Sequence, residues 1–329
     1  MTVSKTLDAG PSPGAGPTRP AAPSLGRLWQ WSDRVCEQTG LRRLKARVGF
    51  VVKARRLGPE LAAFDASSGS LARAMALRPE ITGAAVWPYV CATWGAERRL
   101  RQIREHFELV DGIDGVLDFP LDQSLQVLDL SELQPGLKVV LDQPRWFMRE
   151  GQLVLNLFAG DVRIYSIAFS LGRDGERTIA YIGAIQGGNT DGVMADYKDL
   201  TKTLHGMRPR DFLVELLRTL CRVLGVSKIL AVADERRQHR SSYFGTAKAD
   251  VMSLNYDEIW AERGAVREND EFFALAIEAP LKSLDEVPSK KRAMYRRRYE
   301  LLDSLEAGIA ATLAGRPQPP LVRSAEAPQ

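Results

Sequence analysis

The stretch from Arg177 to Asp234 constrains this chain more than any other, because strand, loop, helix and strand signals follow one another in it without a gap. Thr178 to Gln186 is rich in Ile, Ala and Tyr and runs into Gly187-Gly188, the pattern of a buried strand stopped by glycine. From Pro209 the residues Phe212, Leu213, Leu216, Leu217, Leu220 and Leu224 recur at helical spacing, with proline in the first turn and Gly225 after the last apolar residue. Lys228 to Ala233 then reads as a short apolar strand. A β-α-β crossover of this kind builds a parallel pair of strands.

The approach to that helix, His205-Gly206-Met207-Arg208-Pro209-Arg210, sets a glycine and two arginines beside a helix start. Backbone N–H groups and the positive end of the dipole favour an anion there, and guanidiniums add donors that suit phosphate or carboxylate. His205, Gly206, Arg208 and Arg210, with Gln186 at the strand end, are therefore candidate anion-binding residues; the competing reading is a plain turn with solvated arginines. Beyond Asp234 the segment Glu235 to Ser242 is polar enough for an exposed loop at the carboxyl end of a strand, where open α/β sheets place ligands. His239 in that loop and Asp234 before it are the catalytic candidates, against a histidine that merely faces solvent.

The chain has 329 residues, 45% of them hydrophobic, enough for one large domain or two small ones. Cys36, Cys91 and Cys221 are odd in number and far apart, which indicates neither a disulfide framework nor a zinc site and suits a reducing compartment. No Walker loop, metalloprotease helix motif or nucleophile elbow is present. Residues 42–56 carry seven cations and 290–298 carry six, with no acid in either run, so against a net charge of +4 the remainder is negative. That argues against a nucleic-acid coat and for local anion or membrane-surface contacts.

Residues 24–57 look helical and basic, able to pack on the protein or lie on an anionic membrane. Ile81 to Ala96 is uncharged but divided by Pro88 and too short to span a bilayer. Glu97 to Leu109 is an amphipathic helix, with His106 assigned to packing or surface. Strands are expected at Leu125–Leu130, Leu137–Leu141, Trp146–Met148, Leu153–Phe158 and Val162–Leu171, then a short helix over Asn255–Glu262 and a strand at Phe272–Ile277. Ser289 to Leu313 predicts a long helix capped by Ser289, with Tyr295, Tyr299, Leu302, Leu305, Ile309 and Leu313 buried. Lys290, Lys291, Arg292 and Arg296 in its first turns oppose the dipole, so they are either a second anion site, partners for Asp234, Glu235, Asp257 and Glu258, or a solvated face. The expected class is α+β: a helical N-terminal region (23–112), then a mixed sheet with the central β-α-β unit and a long C-terminal helix (113–313), between a disordered leader (1–22) and tail (314–329).

IGAIQG at 182–187, TKTLHGMRPRDFL at 201–213, the histidine at 239, YDEIW at 256–260 and VPSKKRAMYRRRYELLD at 287–303 together resemble the VirK/YbjX family of bacterial proteins, whose biochemical function is unknown. The resemblance covers about residues 60–312 and implies an association with virulence, envelope stress and antimicrobial-peptide resistance; no catalytic residues come with it. The order of meander, strand, turn, helix and strand is also similar to the GNAT acyltransferase fold, in which backbone N–H groups hold the pyrophosphate of coenzyme A, although HGMRPRDFL lacks the usual glycine spacing. Two functions are thereby expected. One is an acyltransferase-like enzyme using acyl-CoA or another phosphorylated small molecule. The other is a non-enzymatic regulatory protein at an anionic membrane surface, cytoplasmic or peripheral at the inner membrane.

Overall fold

The computed structural model describes residues 21–113, 116–188, 193–245, 254–314 and 322–323, so the leader and most of the tail named above lie outside the described residues. Five helices come first: α1 (Leu25–Val35), α2 (Gly40–Arg56), α3 (Gly58–Asp65), α4 (Gly69–Leu77) and α5 (Ala96–Gly112), with a buried 3-10 turn at Pro79–Ala85. The meander follows as β1 (Gln123–Asp129), β2 (Leu137–Asp142), β3 (Leu153–Ala159), β4 (Val162–Asp174) and β5 (Arg177–Gly187), each antiparallel to the last. Then come α6 (Val193–Thr203), α7 (Pro209–Val223), β6 (Lys228–Val232), α8 (Tyr256–Glu262), β7 (Val266–Arg267), β8 (Phe272–Leu275), α9 (Ser289–Ala314) and β9 (Val322–Arg323). They form one sheet in the order β7-β8-β6-β5-β4-β3-β2-β1-β9, parallel only between β5 and β6. The protein is α+β, as its periodicities predict.

α7 stands where the leucine spacing puts it and buries Phe212, Leu213, Leu216, Leu217 and Leu220 against β3, β4 and β5. Full burial of each such side chain is worth about 1.5–3 kcal/mol, which fixes the helix to the sheet and hence the position of its start. The parallel pairing that α7 connects is short. Ile179 to Ile182 pair with Lys228 to Ala231, after which β5 runs on to Gly187 with no β6 residue beside it. The carboxyl ends of the two strands therefore diverge, and α8 occupies the gap with Tyr256 and Trp260, both fully buried.

Several local expectations fail for identifiable reasons. Trp146–Met148 is not a strand but part of a 3-10 turn at Arg145–Phe147, because Pro144 has no N–H to give a ladder. Ser289 is the first residue of α9 rather than its cap. Tyr295, Tyr299 and Leu302 are only half-buried, and the covered stripe of α9 is Leu301, Leu305, Ile309 and Leu313. Among the described residues, no helix is long and apolar enough to cross a membrane.

Candidate functional site

The sequence-derived candidates fall into two clusters at the two ends of α8, with the basic start of α9 outside both. The first is the entrance to α7. His205 (φ 52°) and Gly206 (φ 79°) turn the chain in the left-handed region, which is why glycine stands at 206. A Cβ there would also press on Met294 Sδ of α9 at 2.9 Å. Arg298 of α9 donates from Nε and Nη2 to the His205 carbonyl at 3.2 and 2.8 Å. His205 and Gly206 thus carry α9, while the next residues line a cavity of about 300 Å³ together with Tyr165, Tyr197, Lys198 and Thr201. Arg208 and Arg210 are both in its wall. No side chain caps α7.

Those two arginines are already engaged. Arg208 donates to Asp211 Oδ2 (2.9 Å) and Glu262 Oε2 (2.7 Å), and Arg210 to Asp211 Oδ1 (3.2 Å) and the same Glu262 oxygen (2.5 Å). Arg208 is 53% exposed and Arg210 15%, so the first is free to turn toward a ligand and the second is largely fixed. Lys198 in the same wall has no ion-pair partner among the described residues, which leaves the pocket with positive charge in excess. Gln186 lies at the adjoining end of β5, paired with Ser166. Lys290, Lys291 and Arg296 are exposed on α9 without ion pairs among the described residues, and Arg292 binds the Val287 carbonyl. Of the carboxylates expected to meet them, Asp234 is taken by Arg237 and Arg240, Asp257 by Arg267, and Glu258 accepts from Asn255 Nδ2.

The second cluster gathers at the end of β6, in a loop that is exposed at Glu235, Arg240 and Ser242 but turns part of itself inward. Arg237 and Gln238 are buried. The Arg237 guanidinium lies 3.7 Å over the Tyr256 ring and donates to Asp234 Oδ1 and to the Leu254 carbonyl. Asp234 also accepts the Tyr256 N–H (3.1 Å) and a bond from Arg240. Burial works against its ionisation, but the Tyr256 N–H, Arg240 and Arg237 outweigh it and hold its pKa below the usual carboxylate value. Asp234 is therefore a fixed anion that organises the turn, a poor proton acceptor.

The group suited to proton transfer is one the sequence hid. Glu150, in an Arg149-Glu150-Gly151 sequence of ordinary turn composition, is buried, and burial pushes its pKa up to about 7 against the lowering effects of Gln238 and nearby arginines. Its Oε1 accepts from Gln238 Nε2 at 2.9 Å and lies 3.4 Å from His239 Nε2, while Oε2 has no hydrogen-bond partner among the described residues. Two features press it into place. The Glu150 carbonyl packs on β5 at Gly183, where any Cβ would collide with it. Val90, which takes a left-handed φ of 55° despite its branched side chain, donates its N–H to the Arg149 carbonyl at 2.8 Å. A carboxylic acid poised near neutrality beside a histidine, held by strained backbone, has the attributes of a general acid–base pair. Only its long-range contacts could have revealed it.

With this geometry in view, comparison with known proteins is informative about the family. Residues 39–311 match the family described as "Protein of unknown function (DUF535)", and the chain belongs to it. Among its relatives is the uncharacterized protein YbjX of Escherichia coli, 27% identical over 235 residues that cover 69% of this chain and 70% of that one. An uncharacterized protein of Haemophilus influenzae is 32% identical over 188 residues, 56% of this chain and 61% of the relative's length. The VirK/YbjX resemblance of the motifs thus holds over most of the chain. No solved structure matches.

Proposed function

We propose that the pocket before α7 binds a phosphorylated small molecule. The observation that supports this is the meeting, in one cavity of about 300 Å³, of Arg208, Arg210 and Lys198 with an uncapped helix start at the carboxyl edge of β5. The GNAT-like order of elements read from the sequence makes acyl-CoA the candidate ligand, with its pyrophosphate against the arginines. The fit is incomplete. The gap between β5 and β6 that would receive the rest of such a ligand is filled by Tyr256 and Trp260, so acyl transfer requires α8 to move, and no chemical step is assigned. Calorimetry with inorganic phosphate, adenosine diphosphate and coenzyme A tests the reading. Binding of the nucleotides should fall at least tenfold in Arg208→Ala/Arg210→Ala, since each charge-assisted bond is worth about 1.5–3 kcal/mol. Coenzyme A binding no tighter than the diphosphate would remove acyl transfer and keep the phosphate site. No binding by any of the three would overturn the proposal.

A second reading, association with an anionic membrane surface, has its own support in α2. Leu41 is 86% exposed and Leu44, Val48 and Val52 each about half exposed. At 3.6 residues per turn these four fall within an arc of about 80°, opposite the face on which Phe50 and Ala54 pack into the core. Lys45 and Arg56 border the outward stripe, Arg42 and Lys53 lie a step further round, and all four are exposed. An apolar ridge flanked by cations suits an interfacial helix, each cation near anionic lipid contributing about 1 kcal/mol at low salt. Flotation with phosphatidylglycerol vesicles should decline steeply with salt and be lost in Leu44→Glu/Val48→Glu. Equal recovery on phosphatidylcholine, or a concentration-dependent dimer in place of binding, would rule it out.

A further inference from the structure

α4 and α5 enclose a cavity of about 330 Å³ with the segment 117–121. Its wall is chiefly apolar, built from Ala74, Leu77, Phe107, Val110, Leu117 and Phe119. The segment is strapped down from outside its own element: Arg78 Nη2 donates to the Leu121 carbonyl at 2.8 Å, and Gln143 Nε2 to the Phe119 carbonyl at 3.2 Å. Arg73 and Asp118, ion-paired and partly exposed, lie at the rim.

One side chain in this wall has unspent hydrogen-bonding capacity. His106 of α5 is 1% exposed, and its Nδ1 accepts the Leu171 N–H at 3.1 Å. Burial lowers its pKa to about 3, so the ring is neutral, and with Nδ1 acting as acceptor the proton sits on Nε2. No acceptor for that Nε2–H exists among the described residues. Ser70 and Gln143, the other buried polar groups of the wall, already donate to the carbonyls of Phe107 and Phe119. The Nε2 atom is not sealed off from the cavity, so an acceptor held there can reach it.

We propose that the cavity binds a small, neutral, largely apolar molecule carrying one oxygen acceptor, such as the carbonyl of a ketone or acyl ester, which takes the His106 Nε2–H. The volume holds roughly ten non-hydrogen atoms at about 30 Å³ each. A carboxylate is disfavoured, because a neutral imidazole would leave its charge uncompensated in an apolar wall. This site is separate from the phosphate pocket and does not depend on it.

The test compares two ligands of about ten non-hydrogen atoms, heptyl methyl ketone and butylbenzene, by calorimetry on the full chain. The wild type should prefer the ketone about tenfold, the effect of one buried hydrogen bond. His106→Phe should erase that preference, and Ala74→Phe, which fills the cavity, should abolish both ligands. A measurement free of substitution supports these: the His106 Nε2 resonance should shift with the ketone and stay put with the hydrocarbon. Failure of the wild type to bind either ligand, or equal binding with an unmoved His106 resonance, would overturn the proposal.

Discussion

At the start of α8, Asp234 takes the buried Arg237 guanidinium and the Tyr256 N–H; at its end, the half-exposed Glu262 takes the half-exposed Arg208 and the more covered Arg210. The two clusters use the same chemistry, carboxylate against paired arginines, about 10 Å apart along a helix of seven residues. Burial separates their roles. Where the ions are dry, removing one partner strands the other and the pairing holds the fold. Where they are wet, each pair contributes little and a competing anion can exchange with it. The open cluster is thus suited to recognition and the closed one to rigidity, with Glu150 lodged in the rigid part.

The largest expected effect tests the closed end. Arg237→Ala should lower stability by about 3–5 kcal/mol in urea denaturation, because Asp234 and the Tyr256 ring lose their buried cation together. A loss below about 1 kcal/mol would place this cluster with the open one.

Next in size is Glu150. Its folded pKa of about 7 lies above the ordinary glutamate value of 4.5, so the folded state binds the proton more tightly. The resulting stability is present at pH below the unfolded value and lost as pH rises from about 4.5 to about 7, by at most about 3.5 kcal/mol at about 1.4 kcal/mol per unit. Glu150→Gln should flatten that part of the stability profile and leave the variant the more stable protein at alkaline pH. A wild-type profile that rises across this window would contradict the assignment.

Arg298→Gln releases two bonds to the His205 carbonyl and should cost about 1–2 kcal/mol, whereas the triple change of Lys290, Lys291 and Arg296 to Gln should leave the melting temperature unmoved. Equal effects would mean that the whole basic run of α9 is structural. Smallest in stability, though sharpest for function, is Glu262→Gln. It should change stability by under about 1 kcal/mol yet tighten phosphate binding several-fold, since both arginines lose their competing carboxylate. Weaker binding would mean that Glu262 orients the arginines rather than competing for them.

What could be read from the sequence is what each element states about itself. The leucine spacing of α7, the stop at Gly187 and four of the five expected meander strands are local patterns that appear as expected, while Trp146–Met148 does not. The arginines of the α7 entrance were visible for the same reason. α6 was not anticipated, and Glu150 was hidden inside an ordinary turn motif. Its burial depends on the missing Cβ of Gly183 and on the bent backbone of Val90, neither of which is near it in sequence. His239 stood out by its polarity, but the closure of its surroundings comes from Arg237 stacking on Tyr256, a contact made across the fold.

The Tyr256 hydroxyl accepts the Ile185 N–H at 2.9 Å and donates to the Ile185 carbonyl at 3.0 Å, serving the β5 residue as a neighbouring strand would. Exchange of the Ile185 amide with deuterium therefore clocks the departure of one side chain, while its neighbours paired to β6 report on the opening of the sheet itself. A ligand that must part β5 from α8 would accelerate this single amide, and one that stays in the α7 pocket would leave it slow. The protein thus contains its own stopwatch for whether its central cleft ever opens.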